Sequence, residues 1–489
     1  MSSPVSFSVV SSLSDGILPH LYALFIIGVF AFLILGLGSA GVGRRVIVAL
    51  TLVALFVSIP VTVIFNTDPA SFLSGTEVFN RFSTYFAIVL IISAIFISIP
   101  AMKRVRSKPE VFYATLLFVV IGMLVATFSY NLITLFISFE AVSVGTYILA
   151  GYGKDRRNLE ASVKYFFTGT IATGFIAFGA SFYYIGGAHT FDLTSVTVYS
   201  YPAMLISLVF LTVGFGFKLA IFPMHQWAID TYDGTENSVS AFLSAGSKVL
   251  AYLITLKVFL LGFAPPLSHD VYIFWTILAI LTMTYGNLAA LGQNNLKRLL
   301  AYSSVAQAGY LILVIPLIAY AGLNSSTFGF AMAAAMFYSL VYIFMKGGAF
   351  LSVNLVRKEN VQVSDLSGLA KKAPPATAVS LAIILLALAG IPLTGGFQAK
   401  YYLFLSLISG RLWWLAVIAI LNSAISVFYY FRVINYMFWR EPSSEGLDTS
   451  RMSYVPVIFS AFVTVALGVF YSLFPYLITV SHGFLGGGV

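Results

Sequence analysis

Five ionisable residues stand in otherwise apolar stretches, and their types favour proton transfer. They are Glu140, Lys218, Lys248, Lys346 and Lys400. A charged side chain in the middle of a membrane helix costs about 2.5–3.5 kcal/mol, so five of them cost roughly 12 kcal/mol or more together. A free-energy cost of that size indicates that these charged residues have a function. Carboxyl and amino groups exchange protons when a nearby charge moves, so the set predicts a proton path.

The alternatives to a proton path differ from residue to residue. Glu140 is the only acid at such depth, and the alternative for it is a protonated carboxyl that is hydrogen-bonded to a neighbouring helix. Lys218 and Lys248 lie too deep to reach the membrane surface easily, and the alternative for them is a structural ion pair or an ammonium bound to carbonyl groups. Lys346 adjoins two glycines that allow close helix approach. Lys400 is the member that could instead extend to the membrane surface.

Other kinds of chemistry find little support. The chain has no cysteine, which excludes disulfides and cysteine-bound iron–sulfur clusters. Its five histidines show no metal-ligand spacing, although His225 is a possible proton relay. The acidic segment 230–236 is the only candidate for an enzyme site that acts on lipid head groups. We therefore predict no metal and no cofactor in this chain.

The composition requires a lipid environment. Of 489 residues, 60% are hydrophobic and 9% are charged, a balance that is typical of membrane proteins. Windows of about twenty apolar residues predict an all-α polytopic protein of about fourteen transmembrane helices. The predicted spans lie near 17–40, 46–65, 79–100, 111–128, 131–152, 160–186, 202–223, 238–263, 270–292, 297–320, 327–356, 374–402, 411–438 and 453–481.

Basic residues alternate between loops in agreement with this assignment. Lys and Arg gather in the odd-numbered loops, as at Arg44 and Arg45, at Arg106 and at Lys154, and are sparse in the even-numbered ones. Because basic loops stay in the cytoplasm, both termini are expected on the non-cytoplasmic side of the plasma membrane.

Two spans contain helix breakers, at Pro223 in span 7 and at Pro392 in span 12. Breaks five spans apart, in matching positions, predict two five-helix repeats around an ion path. The expected domains are three helices in residues 1–110, a five-helix repeat in 111–263, a second in 264–440 and a last helix in 441–489.

Four segments carry a family resemblance. They are LFISFEAVSVGTYILAGY around Glu140, FKLAIFPMHQWAIDTYDGTENSVSAFLSAGSKV across Lys218 and Lys248, YGNLAALGQNNLKRLLAYSSVAQAGY from Tyr285, and LAGIPLTGGFQAKYYLF around Lys400. The chain resembles the antiporter-like subunit N of the proton-pumping NADH dehydrogenase, respiratory complex I, with its archaeal and hydrogenase-linked relatives. The related subunits L and M read LPDAMEG and HAATMV where this chain reads AIDTYDG and SAGSKV.

The resemblance implies fourteen helices with two inverted five-helix repeats, broken helices 7 and 12, and roles in proton transfer for Glu140, Lys218, Lys248 and Lys400. Lys346 is more typical of subunits L and M. The resemblance also implies that the partners are other membrane-arm subunits, and that flavin, iron–sulfur clusters or quinone belong to those partners.

The resulting hypothesis is a proton-translocating subunit of a redox-driven, complex I-like pump that is not catalytic by itself. Glu140 and Lys218 form a switchable pair, Lys248 passes the proton toward Lys346, and Lys400 exchanges it with the far side. Neighbouring charges at about 4 Å interact by a few kcal/mol when the effective dielectric is near 20. The alternatives are a subunit of a multi-subunit sodium/proton antiporter and a self-sufficient transporter of a cation or an organic solute. A single deep carboxylate supplies too few ligands for a self-sufficient cation site, because hard cations prefer several oxygen ligands.

Overall fold

The computed structural model describes residues 18–72, 76–105, 107–153, 155–187, 189–444, 446–448 and 450–486. Arg106 and Lys154 of the predicted cytoplasmic loops, and the start of the first predicted span at Ile17, lie outside these residues. The described α-helices are, in chain order, α1 (Tyr22–Ser39), α2 (Arg44–Asn66), α3 (Arg81–Arg104), α4 (Pro109–Phe128), α5 (Leu132–Ala150), α6 (Arg156–Gly186), α7 (Tyr201–Leu219), α8 (Gln226–Gly234), α9 (Asn237–Phe242), α10 (Lys248–Lys257), α11 (Ala264–Leu291), α12 (Leu296–Leu311), α13 (Val314–Ala321), α14 (Phe328–Leu351), α15 (Leu369–Lys372), α16 (Pro375–Ala389), α17 (Gly395–Ser409), α18 (Trp413–Trp439), α19 (Arg451–Val469) and α20 (Leu473–Ser481).

The predicted membrane-helical class is confirmed, but its count of fourteen spans is not. Within the described residues, twelve helical segments are long and apolar enough to cross a membrane. One of the twelve is the continuous segment Asn237–Leu291, which contains two predicted spans and kinks at Leu267. Neither half of the broken helix α16–α17 is long enough to count alone. The two numbers differ because one helix continues where a loop was expected and another is divided.

Both predicted helix breaks are present. Helix α7 ends at Leu219, and Ala220 takes a left-handed conformation before α8 begins at Gln226. Helix α16 ends at Ala389, and Gly390 has φ of +90° before α17 begins at Gly395. A break leaves backbone carbonyl groups without helical partners, and these groups can then bind other donors.

The segment before α11 contains two π-helical turns, Leu243–Ser247 and Val258–Phe263. They flank α10, which begins at Lys248 and ends at Lys257. A π turn inserts one extra residue and rotates the side chains that follow it, and such turns are frequent at functional positions. Both buried lysines of α10 therefore lie beside irregular backbone.

Polar side chains fix where the helices begin. Asn131 at the start of α5 accepts from the amide nitrogens of Ile133 and Thr134 at 2.9 and 3.3 Å. Asn295 caps α12 by accepting from Arg298 N at 3.0 Å. Each cap satisfies amide groups that would otherwise lack a partner in lipid.

Helices α9, α10, α12 and α14 form the interior, whereas α1, α2, α6 and α18 expose apolar side chains at the outer surface. Two glycines bring α11 and α12 together, because a Cβ at Gly286 would collide with Ala306 and one at Gly309 would collide with Met283. This close approach places the polar side chains of α12 deep in the bundle.

Three features depart from the all-helical prediction. A two-stranded antiparallel hairpin joins α2 to α3, with strands β1 (Ala70–Phe72) and β2 (Glu77–Phe79). The predicted span 297–320 is divided between α12 and α13, and the predicted span 453–481 between α19 and α20. A hydrophobicity window measures the length of an apolar segment. It does not register a short strand pair between two segments or a break within one.

Replacing Gly390 tests the second break. Gly390→Ala forces a side chain into a positive-φ position, and its Cβ would lie 2.9 Å from Cδ of Lys400. We expect a loss of unfolding free energy of at least about 1 kcal/mol, measured by thermal unfolding of the purified protein in detergent. Gly292→Ala is the matched control, since Gly292 has a negative φ and no atom within 4 Å of an added Cβ. Equal stability of the two variants would contradict the prediction.

Candidate functional site

Lys218 occupies a cage of hydroxyl groups at the end of α7. Its side chain is 2% exposed. Its Nζ lies 2.6 Å from the Tyr165 hydroxyl, 3.1 Å from Thr146 Oγ1 and 3.2 Å from Ser143 Oγ. These three partners, from α5 and α6, match the three N–H groups of an ammonium. The lysine is therefore satisfied without a direct ion pair.

The segment after the first break supports this cage. The Trp227 ring of α8 stacks on the Tyr165 ring, with centroids 4.5 Å apart and planes 8° apart. Trp227 Nε1 donates to Phe217 O at 2.6 Å, across the break. Movement of α8 would consequently move Tyr165, which is the nearest partner of Lys218.

Glu140 lies on α5, nearer the outer surface than the sequence predicted. Its carboxylate accepts from Thr173 Oγ1 of α6 at 2.6 Å. The residue is half-buried, and its neighbours Ile137 and Val144 are 61% and 51% exposed. Glu140 and Lys218 interact electrostatically, although no direct ion pair joins them among the described residues. The carboxyl is thus within the field of Lys218 and also close to whatever lies against this face.

Lys248 is fully buried and binds α12. Its Nζ donates to Ser304 Oγ at 2.9 Å and to Ser304 O at 3.0 Å. Ser304 Oγ in turn lies 2.8 Å from the Tyr342 hydroxyl of α14. The sequence signal for this lysine was its depth, and the structure adds the partner that holds it.

Lys346 is also fully buried, and it donates to Ser303, the residue next to Ser304. Consecutive serines on α12 therefore hold two lysines from different helices, and the two ammonium groups interact through their charges. Like charges repel strongly in a medium of low dielectric. A change of charge at either lysine is consequently felt at the other.

Lys400 joins the same line one turn further along α12. Gln307 Nε2 donates to Leu388 O at 3.0 Å, and Lys400 Nζ donates to the same carbonyl at 3.0 Å. Lys400 also binds Ala389 O at 3.0 Å and Ser423 Oγ at 2.9 Å. The two carbonyl groups belong to the end of α16, so the second break supplies the partners of this lysine.

Cavities border both breaks. One of about 180 Å³ adjoins Pro223 and Trp227, and one of about 430 Å³ adjoins Gly390, Lys400 and Ser423. Proline 392 itself lies in the connection between α16 and α17.

His225 lies apart from the lysines' hydrogen bonds. It is 5% exposed and its ring packs against Tyr285 at 4.5 Å and Phe222 at 5.8 Å. Neither ring nitrogen has a hydrogen-bond partner within the part of the chain that the structure describes. A relay through His225 stays a prediction.

The acidic segment 230–236 takes part in ion pairs at the basic loops. Asp233 pairs with Arg157 at 2.7 Å and Asp230 pairs with Arg298 at 3.2 Å, while Glu236 caps α9. A polar cavity of about 590 Å³ opens beside these pairs. Among the described residues, no group of three His, Asp or Glu side chains could hold a metal ion.

Sequence reasoning missed Lys257 as a buried group, because it lies near the end of a predicted span. It is fully buried, and its Nζ donates to Thr127 O at 2.5 Å and to Ser129 O at 2.8 Å. Its spacing of nine residues from Lys248 within one apolar span was the available signal.

A membrane bundle with broken helices and a row of buried lysines defines the class of ion-translocating, antiporter-like subunits. The family described as "NADH:quinone oxidoreductase/Mrp antiporter, TM" matches residues 129–426. The chain belongs to this family.

Its relatives include subunits of redox complexes. The F(420)H(2) dehydrogenase subunit N of Methanosarcina mazei is 38% identical over 413 residues, covering 81% of this chain and 80% of the relative. The NADH-quinone oxidoreductase subunit N of Trichlorobacter lovleyi is 35% identical, covering 84% and 85%. A chain of respiratory complex I from Thermus thermophilus superposes with a TM-score of 0.80 at 29% identity, covering 95% of this chain and 100% of that one.

Removing the serine that joins Lys248 to α14 tests the arrangement on α12. Ser304→Ala leaves both the Lys248 ammonium and the Tyr342 hydroxyl short of a partner, so we expect a loss of about 1–3 kcal/mol of unfolding free energy. Ser339→Ala is the control, because among the described residues the buried Ser339 hydroxyl bonds only to Ala335 O of its own helix. Thermal unfolding in detergent measures both, and a loss for Ser339→Ala as large as that for Ser304→Ala would refute the assignment.

Proposed function

We propose that this chain is a proton-translocating membrane-arm subunit of a redox-driven, complex I-like assembly. One observation carries the proposal: α12 binds Lys248, Lys346 and, through a shared carbonyl, Lys400, so three buried lysines follow one continuous polar line. Family membership supports the same function, since the similar relatives are named as subunits of dehydrogenases and quinone oxidoreductases.

The route begins at Glu140 and Lys218. Lys218 is held by neutral hydroxyl groups, which can accept from an ammonium or donate to a neutral amine. Its cage therefore serves both protonation states. When the charge of Glu140 changes, the electrostatic energy of Lys218 changes with it, and this pair is the switch of the first repeat, residues 111–263.

The second repeat, residues 264–440, completes the route. A proton at Lys248 passes by way of the Ser304–Ser303 pair to Lys346. Gln307 and Lys400 both donate to the Leu388 carbonyl, which holds Lys400 beside this line, and Lys400 is the next group to take up the proton. Lys400 exchanges the proton with the far side through the cavity beside Gly390.

The driving energy comes from partner subunits. We place flavin, iron–sulfur clusters or quinone on those partners, together with the related antiporter-like and small membrane subunits. The half-buried Glu140, at an outer face, is suited to receive an electrostatic signal from a neighbouring subunit. The assembly lies in the plasma membrane, with both termini of this chain on the non-cytoplasmic side.

The proposal predicts the loss of pumping without the loss of assembly. In inverted vesicles that contain the parent complex, Glu140→Gln or Lys218→Ala should abolish redox-driven proton uptake, measured with a pH-sensitive dye. Each removes a titratable group of the switch. Among the described residues, neither group forms a direct ion pair, so its removal leaves no charged partner behind. Co-purification with the partner subunits reports assembly.

Glu160→Gln is the matched control, because Glu160 is exposed and pairs only with Lys164 at 2.7 Å among the described residues. It should leave proton uptake at the wild-type level. Unaltered proton-to-electron ratios in both Glu140→Gln and Lys218→Ala would refute the proposed switch. Sodium-dependent transport that persists with a protonophore would instead support the antiporter alternative.

A further inference from the structure

Lys257 and the hairpin form a second ionisable cluster, at the end of the bundle away from the basic loops. Lys257 is the last residue of α10, and its two carbonyl partners are Thr127 in the last turn of α4 and Ser129, which follows that helix. Its Nζ also lies 4.1 Å from the centroid of the Tyr130 ring. Helix carboxyl ends and aromatic faces both stabilise cations. The surroundings of Lys257 are therefore arranged for an ammonium.

Glu77 of β2 is the acid of this cluster. It forms an antiparallel bridge with Ser129, the residue whose carbonyl binds Lys257. Its Oε1 is shielded from solvent and accepts no hydrogen bond within the part of the chain that the structure describes. A carboxylate oxygen without a donor is costly when ionised.

Burial and the lysine act on Glu77 in opposite directions. Burial raises the pKa of Glu77 to about 7, while the Lys257 charge and the Ser129 side chain oppose the rise. The carboxyl thus gains a proton below about neutral pH and releases it above. Two further titratable groups face the hairpin, the Tyr130 phenol and His20, whose ring stacks on Phe79 at 4.7 Å.

Helix α10 connects this cluster to the row of lysines. Lys248 begins the helix and Lys257 ends it, about 14 Å apart at 1.5 Å per residue. Tyr252 lies between them with a buried hydroxyl that has no hydrogen-bond partner among the described residues. A polar group is therefore available between the interior lysines and the hairpin.

We propose that Glu77, set against the Lys257 ammonium, is a proton-release group on the non-cytoplasmic face. The ammonium repels an arriving proton and favours the carboxylate, while the shielded Oε1 favours the protonated form. A proton that reaches the hairpin is held by Glu77 and then passes to the outer solution. This inference rests on the proposed function, because release requires that protons cross the chain.

Infrared spectroscopy and proton release test it together. In the purified parent complex, the wild-type-minus-variant spectrum for Glu77→Gln should contain a protonated-carboxyl band that disappears with a midpoint near pH 7. Neither Tyr130 nor His20 contributes to such a band. In vesicles, the initial rate of proton release in Glu77→Gln should fall at least about tenfold, with redox activity in the presence of an uncoupler retained.

Variants of Asp68 and Lys257 distinguish a role of Glu77 in proton release from a purely structural role. Asp68→Asn, an exposed carboxyl in the same connection, should change neither the band nor the rate. Lys257→Met should move the midpoint up by about one pH unit or more, because it removes the opposing positive charge. Lys257→Arg keeps that charge and should restore the wild-type midpoint. If Glu77→Gln fails to assemble, the Lys257→Met and Lys257→Arg complexes are compared directly with the wild type, both in the pH-dependent carboxyl band and in the initial rate of proton release.

The outcomes are distinct. Wild-type proton release in an assembled Glu77→Gln complex, or an unmoved midpoint in Lys257→Met, overturns the release group and leaves the proposed function intact. Absence of proton release by the wild-type complex overturns the proposed function, whatever the infrared band shows.

Discussion

The structure depends on one requirement: an ammonium inside the bundle must have its donors satisfied by oxygen atoms that carry no full charge. Lys218 binds three hydroxyl groups, and Lys400 binds two carbonyl groups and one hydroxyl. Neither forms an ion pair within the described residues. A salt bridge would hold the charge in place, since separating its members is costly in a low dielectric. Neutral oxygen partners stabilise the ammonium and still allow the proton to leave.

The kind of oxygen distinguishes the lysines from one another. Carbonyl oxygens only accept hydrogen bonds, whereas hydroxyl groups accept or donate. Among the described residues, the hydrogen-bond partners of Lys218 are all hydroxyls, those of Lys248 are the hydroxyl and carbonyl of one serine, and those of Lys257 are two carbonyls. A hydroxyl cage serves both protonation states, because rotation of a hydroxyl hydrogen turns an acceptor into a donor. The lysines are therefore the same residue type in similarly apolar segments, but their hydrogen-bond partners give them different proton-transfer chemistry.

Sequence reasoning predicted the residues that are marked by the free-energy cost of burying a charge, and it missed the partners that depend on how the helices pack. A charge within an apolar run is visible in the sequence, so Lys218, Lys248 and Lys346 were found without any contact information. Pro223 and Pro392 likewise marked the breaks. The partners were not predictable, because Ser303, Ser304 and Gln307 are ordinary polar residues until α12 packs against α14 and α16. Glu140 was expected deep inside, and only the packing of α5 shows that its neighbours face outward.

The same physics explains why the two ends of the molecule differ. At the basic loops, Arg157 and Arg298 pair directly with Asp233 and Asp230, and such paired charges hold neighbouring helices in register. At the opposite end, Lys257 is bound by backbone carbonyls, and Glu77 lies near it without a direct ion pair among the described residues. Direct pairing neutralises charge where a rigid junction is needed. Separation by a backbone group leaves an electrostatic influence without neutralisation, and this is the arrangement in which a carboxyl can alternate between protonated and ionised forms. The distribution of ion pairs therefore distinguishes the charged residues that stabilise the bundle from those that can exchange protons within it.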